Sequence, residues 1–167
     1  MKKKFIHSKI EKLIKNKSGK SPVTTKIQNV AILNNPKSGL DIKKLKILED
    51  SLNLDNSRFH IFTVKEKKDN FNQLHGLIAD ASDLNMFGQI KNQQIKEFLN
   101  KKYDLLIDFT GMEKALEKYF SLMISAGFTV GFITDDASYD LMIRVENNDI
   151  PTFIKEMTYY LKLLKMI

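Results

Sequence analysis

Residues 103–133 constrain this chain more than any other stretch, because they read as two buried strands joined by an amphipathic helix. Tyr103 to Phe109 and Phe128 to Ile133 are compact apolar runs rather than alternating ones, the pattern of strands covered on both sheet faces. Between them, Met112, Ala115, Leu116, Tyr119, Phe120, Met123 and Ile124 recur at helical spacing. Thr110 and Glu113 stand at capping-box spacing ahead of that stripe, and Gly127 is placed to close it. Strand, helix and strand in that order make a right-handed parallel crossover.

The rest of the chain adds elements of the same kind. Ile27 to Leu33 is a short apolar run ended by Asn34-Asn35-Pro36-Lys37-Ser38-Gly39; helix-spaced Ile42, Leu45, Leu48 and Leu52 follow, and Phe59 to Val64 is a second strand. A final helix starts at Asp149, with Ile150, Phe153, Ile154, Met157, Leu161 and Leu164 facing inward. Only Thr134 to Ser138 separates the strand at 128–133 from Tyr139 to Val145, which predicts an antiparallel hairpin, since a parallel pair needs a longer connection. The expected fold class is therefore α/β: a single Rossmann-like domain whose mixed sheet has a parallel centre and an antiparallel edge strand, plus an N-terminal basic helix.

Residues 65–89 are less regular. Phe71, Leu74 and Ile78 can line a short helix, and Leu84-Asn85-Met86-Phe87-Gly88 is expected to cover the core rather than form a partner surface. Tyr103-Asp104-Leu105-Leu106-Ile107 and Tyr139-Asp140-Leu141-Met142-Ile143 echo each other. The opposite directions expected of a hairpin argue against a repeat.

Charge is spread unevenly. The first 26 residues hold Lys2, Lys3, Lys4, Lys9, Lys12, Lys15, Lys17, Lys20 and Lys26 against Glu11 alone, a net of +8, while the whole chain carries +7. Residues 3–16 fit a helix with Ile6, Ile10, Leu13 and Ile14 on one face and Lys4, Ser8, Glu11, Lys12 and Lys15 opposite; Phe5 falls off the stripe. Ser18-Gly19-Lys20-Ser21-Pro22 reads as a linker. The organisation is thus a basic helix and linker at 1–22 and an α/β domain at 23–167. The cationic segment points to an anionic partner. A helix that docks by its apolar stripe, with its lysines as a solvated face, is the plain alternative.

The chain has no cysteine, so it forms no disulfide, thiolate metal site or cysteine nucleophile, and it fits a reducing compartment. No apolar core follows the basic start, and no run approaches the roughly 20 apolar residues of a membrane span; a cytoplasmic protein is expected. His7, His60 and His75 are scattered without metal-ligand spacing. No catalytic residue, resident metal or cofactor is expected, and a non-enzymatic role is favoured.

Two sets of candidate binding residues remain. Lys3, Lys4, Lys9, Lys12 and Lys15 would contact the phosphates of RNA or the ribosome, in a salt-dependent and largely nonspecific way. The basic helix lacks aromatic interleaving and no arginine precedes Arg58, so base stacking and bidentate readout are not expected. A membrane surface ranks lower, because the helix is short and lacks tryptophan. The second set lies at the C-terminal edge of the expected sheet, where Asp108, Thr110 and Gly111 leave one strand and Asp135 and Asp136 leave its neighbour. These residues can hold a small ligand or a divalent cation, although turn and cap roles are favoured for them over a site.

Local motifs carry several resemblances. Asn34-Asn35-Pro36-Lys37-Ser38-Gly39 resembles the Asn-Pro-x-Ser-Gly turn of the diacylglycerol kinase and NAD kinase superfamily, where that turn helps bind nucleotide; the family's Gly-Gly-Asp-Gly-Thr signature is missing from this chain. Gly19-Lys20-Ser21 resembles the end of a phosphate-binding loop, but Ile14 stands where its first glycine belongs. Met86-Phe87-Gly88-Gln89-Ile90, Phe98-Leu99, Tyr103 to Asp108, Ser125 to Phe132 and Tyr139 to Ile143 together resemble an uncharacterised family of small Bacteroidetes proteins, a domain of unknown function. That likeness spans most of the body and implies no activity. Lys102 to Asp135 also resembles the strand–helix–strand segment in the N-terminal half of heptosyltransferase-type glycosyltransferases. Those enzymes need a second domain for the nucleotide-sugar donor, for which 167 residues leave no space.

The expected function is that of a non-enzymatic α/β domain contacting RNA or the ribosome through its basic helix. The alternatives are a small-molecule or nucleotide-sugar binding protein using Asp108, Thr110, Gly111 and Asp135, or a protein-interaction module presenting residues 65–89 and a helix stripe.

Overall fold

The computed structural model describes residues 2–69, 76–135 and 139–167. In chain order the elements are α1 (Lys2–Lys17), β1 (Val30–Asn34), α2 (Ile42–Leu52), β2 (Phe59–Val64), β3 (Leu77–Ala79), α3 (Gln93–Asn100), β4 (Lys102–Asp108), α4 (Ala115–Met123), β5 (Ser125–Phe132), β6 (Leu141–Ile143) and α5 (Ile150–Leu163). The strands form one sheet in the order β3-β2-β1-β4-β5-β6, with every neighbouring pair parallel. Alternate residues of β1 feed two cores. Val30 and Ile32 pack with α2 and α5 on one face, while Ala31 and Leu33 pack with α1, α3 and α4 on the other.

The edge strand β6 is parallel, not antiparallel as the short connection suggested. The reason is strand length. Leu141–Ile143 pairs only with Val130–Phe132 at the very end of β5. The chain therefore has to double back by only about 7 Å, two steps of ~3.3 Å, before β6 begins. No crossover helix is needed for so short a return.

Tyr139 and Asp140 anchor that return. The Tyr139 ring lies against Gly131, where an added Cβ would come within 2.3 Å of it, and its hydroxyl donates to Asp108 Oδ2 at 2.7 Å. Asp140 Oδ2 accepts from the amide and the hydroxyl of Thr129 on β5, both at 2.8 Å. Asp104 does the same for the chain leading into β1, accepting from the amides of Gln28 and Asn29 at 2.9 Å. The two Tyr-Asp segments thus introduce strands of the same direction, and each aspartate ties down the neighbouring strand.

Other boundaries also differ from expectation. Helix α4 begins at Ala115 rather than after Thr110, because Gly111 and Met112 both take positive φ, 70° and 54°, and insert a turn. Its capping carboxylate is Glu117, which accepts from the Lys114 amide at 3.1 Å. Gly127 caps no helix; it lies inside β5, where its carbonyl accepts from the Val23 amide at 2.8 Å. Leu164 is exposed rather than inward-facing, and Ile42, helix-spaced with Leu48 and Leu52, is exposed as well. Ile78 belongs to β3, not to a helix; Phe71 and Leu74, expected beside it, lie outside the described residues.

Candidate functional site

Helix α1 is seated, not free. Ile6 and Ile10 are buried in the same core as Tyr119 and Phe120 of α4, with Leu13 packed against its edge. This seating turns Lys3, Lys4, Lys12 and Lys15 to the solvent. Among the described residues, no carboxylate lies within ion-pair distance of those four. Lys9 is placed differently. It is half-buried, its Nζ donates to the Gly88 carbonyl at 2.7 Å and sits 6.0 Å from the Tyr119 ring centre, and burial lowers its pKa. Lys17 also turns inward: burial lowers its pKa, against the opposing pull of Asp140 and Asp108.

The acidic residues at the sheet edge are engaged within the protein. Asp108 is fully buried; its Oδ1 accepts from the Thr110 amide at 2.8 Å and the Thr110 hydroxyl at 2.6 Å, and its Oδ2 from Tyr139. Burial raises its pKa, while these hydrogen bonds resist the shift. The Ser121 hydroxyl is buried in the same region. Thr110 is buried and passes a bond on, accepting from the Met112 amide at 3.2 Å. Gly111 is half-buried in the turn that follows, whereas Asp135 is exposed at the end of β5. Asp136 and His75 lie outside the described residues. Of the other histidines, His7 is exposed, while His60 lies tilted beside Tyr103 and has its pKa lowered by burial. Among the described residues, no three His, Cys, Asp or Glu side chains converge as a metal site would require.

A cleft of about 540 Å³ opens at the C-terminal ends of β1 and β2, where the strand order reverses between β1 and β4. In open parallel sheets this crevice is where ligands bind. Asn35, Lys37 and Lys65 line it from the strand ends, Lys114 and Glu117 from the start of α4, and Lys3 closes it from α1. Glu117 is buried, accepts from Asn35 Nδ2 at 2.9 Å, and has its pKa raised by burial. Lys114 pairs with Glu66 at 3.0 Å. The sequence offered Asn35 as part of a turn but gave no hint that Glu117 would meet it.

These features define a class of protein: an all-parallel α/β domain with a lysine-bearing helix built into its outer layer and a cleft at the strand ends. The chain matches the model of a family described as "Family of unknown function (DUF6913)" over residues 2–164, and it belongs to that family. The matched span includes the whole of α1, so the basic helix is part of the family's domain. No curated protein and no solved structure matches the chain.

Proposed function

We propose that this protein is a non-enzymatic, cytoplasmic, Rossmann-like domain that binds RNA, free or within the ribosome, along the lysine face of α1. The observation that supports the reading is the seating of the helix: Ile6 and Ile10 fix its rotation, and Lys3, Lys4, Lys12 and Lys15 stand outward without a neutralising carboxylate among the described residues. Ammonium groups held on a seated helix meet a phosphate backbone without ordering a flexible arm first. Among the described residues, no helix is long and apolar enough to cross a membrane.

The test is anisotropy with a labelled single-stranded RNA across a salt series, comparing wild type with the Lys3, Lys4, Lys12 and Lys15→Ala quadruple variant. If all four contact phosphates, the slope of log Kobs against log salt becomes shallower by roughly 3. An unchanged slope and affinity would refute the reading.

A second reading has its own support in the cleft, which suits a small anionic ligand such as a nucleotide sugar held by Lys37, Lys65 and Lys114. It uses a different set of residues from Asp108 and Thr110, whose polar atoms already bond within the protein. A thermal-shift screen with nucleotides and nucleotide sugars tests it, because a ligand of the native state raises Tm; no shift with any of them would count against it.

A further inference from the structure

The turn Asn85-Met86-Phe87-Gly88 holds two large apolar side chains out in water. Phe87 is 61% exposed and Met86 59%, although Leu84 just before them is fully buried. The turn is built, not loose. Its Gly88 amide donates to the Asn85 carbonyl at 3.0 Å, and Asn85 Oδ1 accepts from the amides of Phe87 and Gln89 at 2.9 Å. A Leu84–Ile90 bridge closes its base. The Gly88 carbonyl accepts from Lys9 Nζ at 2.7 Å and from the Tyr119 hydroxyl at 3.1 Å, which fastens the turn to α1 and α4.

Phe87 meets Phe5 of α1 edge to face, with ring centres 5.7 Å apart. One and two helical turns beyond Phe5, on the same flank, stand Lys9 and Lys12. The basic helix itself, expected to lack aromatic interleaving, carries Phe5, and the fold sets Phe87 beside it from elsewhere in the chain. An aromatic step lies beside a row of cations.

Two features choose the occupant. The apolar stripe of α1 is largely committed to the core through Ile6 and Ile10, and Phe5 and Ile14 remain exposed singly, so the helix has no continuous apolar face to lay into lipid. What remains is a pair of rings and a thioether flanked by lysines, which complements flat apolar faces strung on a negative backbone. We infer that Phe87 and Phe5 stack on unpaired bases of RNA, with the adjoining phosphates on Lys12 and on the donors Lys9 has left. This inference rests on the reading that α1 binds RNA. It adds a preference for single strands, because the bases of a duplex already stack on each other.

The experiment compares a labelled single-stranded oligoribonucleotide with a blunt RNA duplex of equal length, using wild type, Phe87→Ala, Phe87→Leu and Phe87→Tyr. Phe87 is exposed, and an unchanged Tm for each variant confirms that the fold is intact. Phe87→Ala should weaken single-strand binding about 5- to 150-fold, the range for loss of one stacked base. It should leave duplex binding and the salt slope unchanged. Phe87→Tyr should retain affinity, and Phe87→Leu should not. Equal binding of the two RNAs, or Leu behaving as Tyr does, overturns the stacking while the lysine-dependent salt slope still upholds the RNA reading. Wild type that ignores RNA but binds phosphatidylserine vesicles, or that dimerises through Phe87, overturns both.

Discussion

Gly131→Ala should be among the most damaging small substitutions in this protein, and its effect should pass almost wholly through one ring. A Cβ at position 131 would stand 2.3 Å from Tyr139 Cε2 and 2.4 Å from Cζ, about 1 Å inside ordinary contact. The ring cannot stay, and when it moves its 2.7 Å hydrogen bond to Asp108 is lost. Overpacking a tight site costs about 1–3 kcal/mol, and leaving a buried partner without its hydrogen bond costs about 1–3 more. Gly131→Ala should therefore destabilise by roughly 2–6 kcal/mol, a large share of the ~5–15 kcal/mol a domain has. Tyr139→Ala alone should cost a similar amount, about 3–5 kcal/mol, through the cavity it leaves. The discriminating measurement is the double variant in urea unfolding followed by circular dichroism. Once the ring is gone, adding Gly131→Ala should cost less than about 1 kcal/mol, because nothing remains for the methyl to strike. Strictly additive losses would show that the ring does not lie over Gly131, and with that the account of how Tyr139 anchors the return into β6 would fail.

Further outcomes follow from the buried carboxyls and the seat of α1. Burial raises the Asp108 pKa, so the native state holds that proton more tightly than the unfolded chain does. The penalty for ionising it is absent below the ordinary aspartate pKa and grows with pH until the raised native value is passed. Asp108→Asn should thus gain stability relative to wild type as pH rises through that window in urea titrations at successive pH values; a relative loss would reverse the sign and refute the assignment. Ile10→Ala should destabilise by about 2–4 kcal/mol and raise hydrogen exchange throughout residues 2–17, whereas exchange confined to position 10 would show that α1 does not depend on its seat.

The sequence was most readable where the pattern of apolar residues and the chain's punctuation agree. Residues 59–64 match β2 without adjustment, and α5 starts beyond Asp149, whose side chain accepts from the Thr152 amide at 3.1 Å. Helix α3 was also there to be found, since Asn92 caps a turn carrying Ile95, Phe98 and Leu99 at helical spacing. The start of α4 was not, because a methionine at φ 54° carries no mark in the sequence. Nor was the direction of β6, because loop length bounds a crossover only when the length of the returning strand is known, and three residues give no pattern. The lysines of α1 were legible as charge, but which of them face solvent depends on α4, a hundred residues away. The Phe5–Phe87 contact and the meeting of Asn35 with Glu117 span 82 residues each, beyond the reach of local reasoning.

That distance between α1 and its seat has a consequence for biosynthesis. The helix leaves the ribosome well before the surface that receives Ile6 and Ile10, which includes residues 115–123. Sixteen residues with no acid in the first turn form at best a marginal helix on their own in water. The amphipathic segment must therefore wait, unfolded and cationic, until residues 115–123 have been made. Its ordered lysines mark a folded molecule, so any partner that reads them distinguishes folded copies from nascent ones.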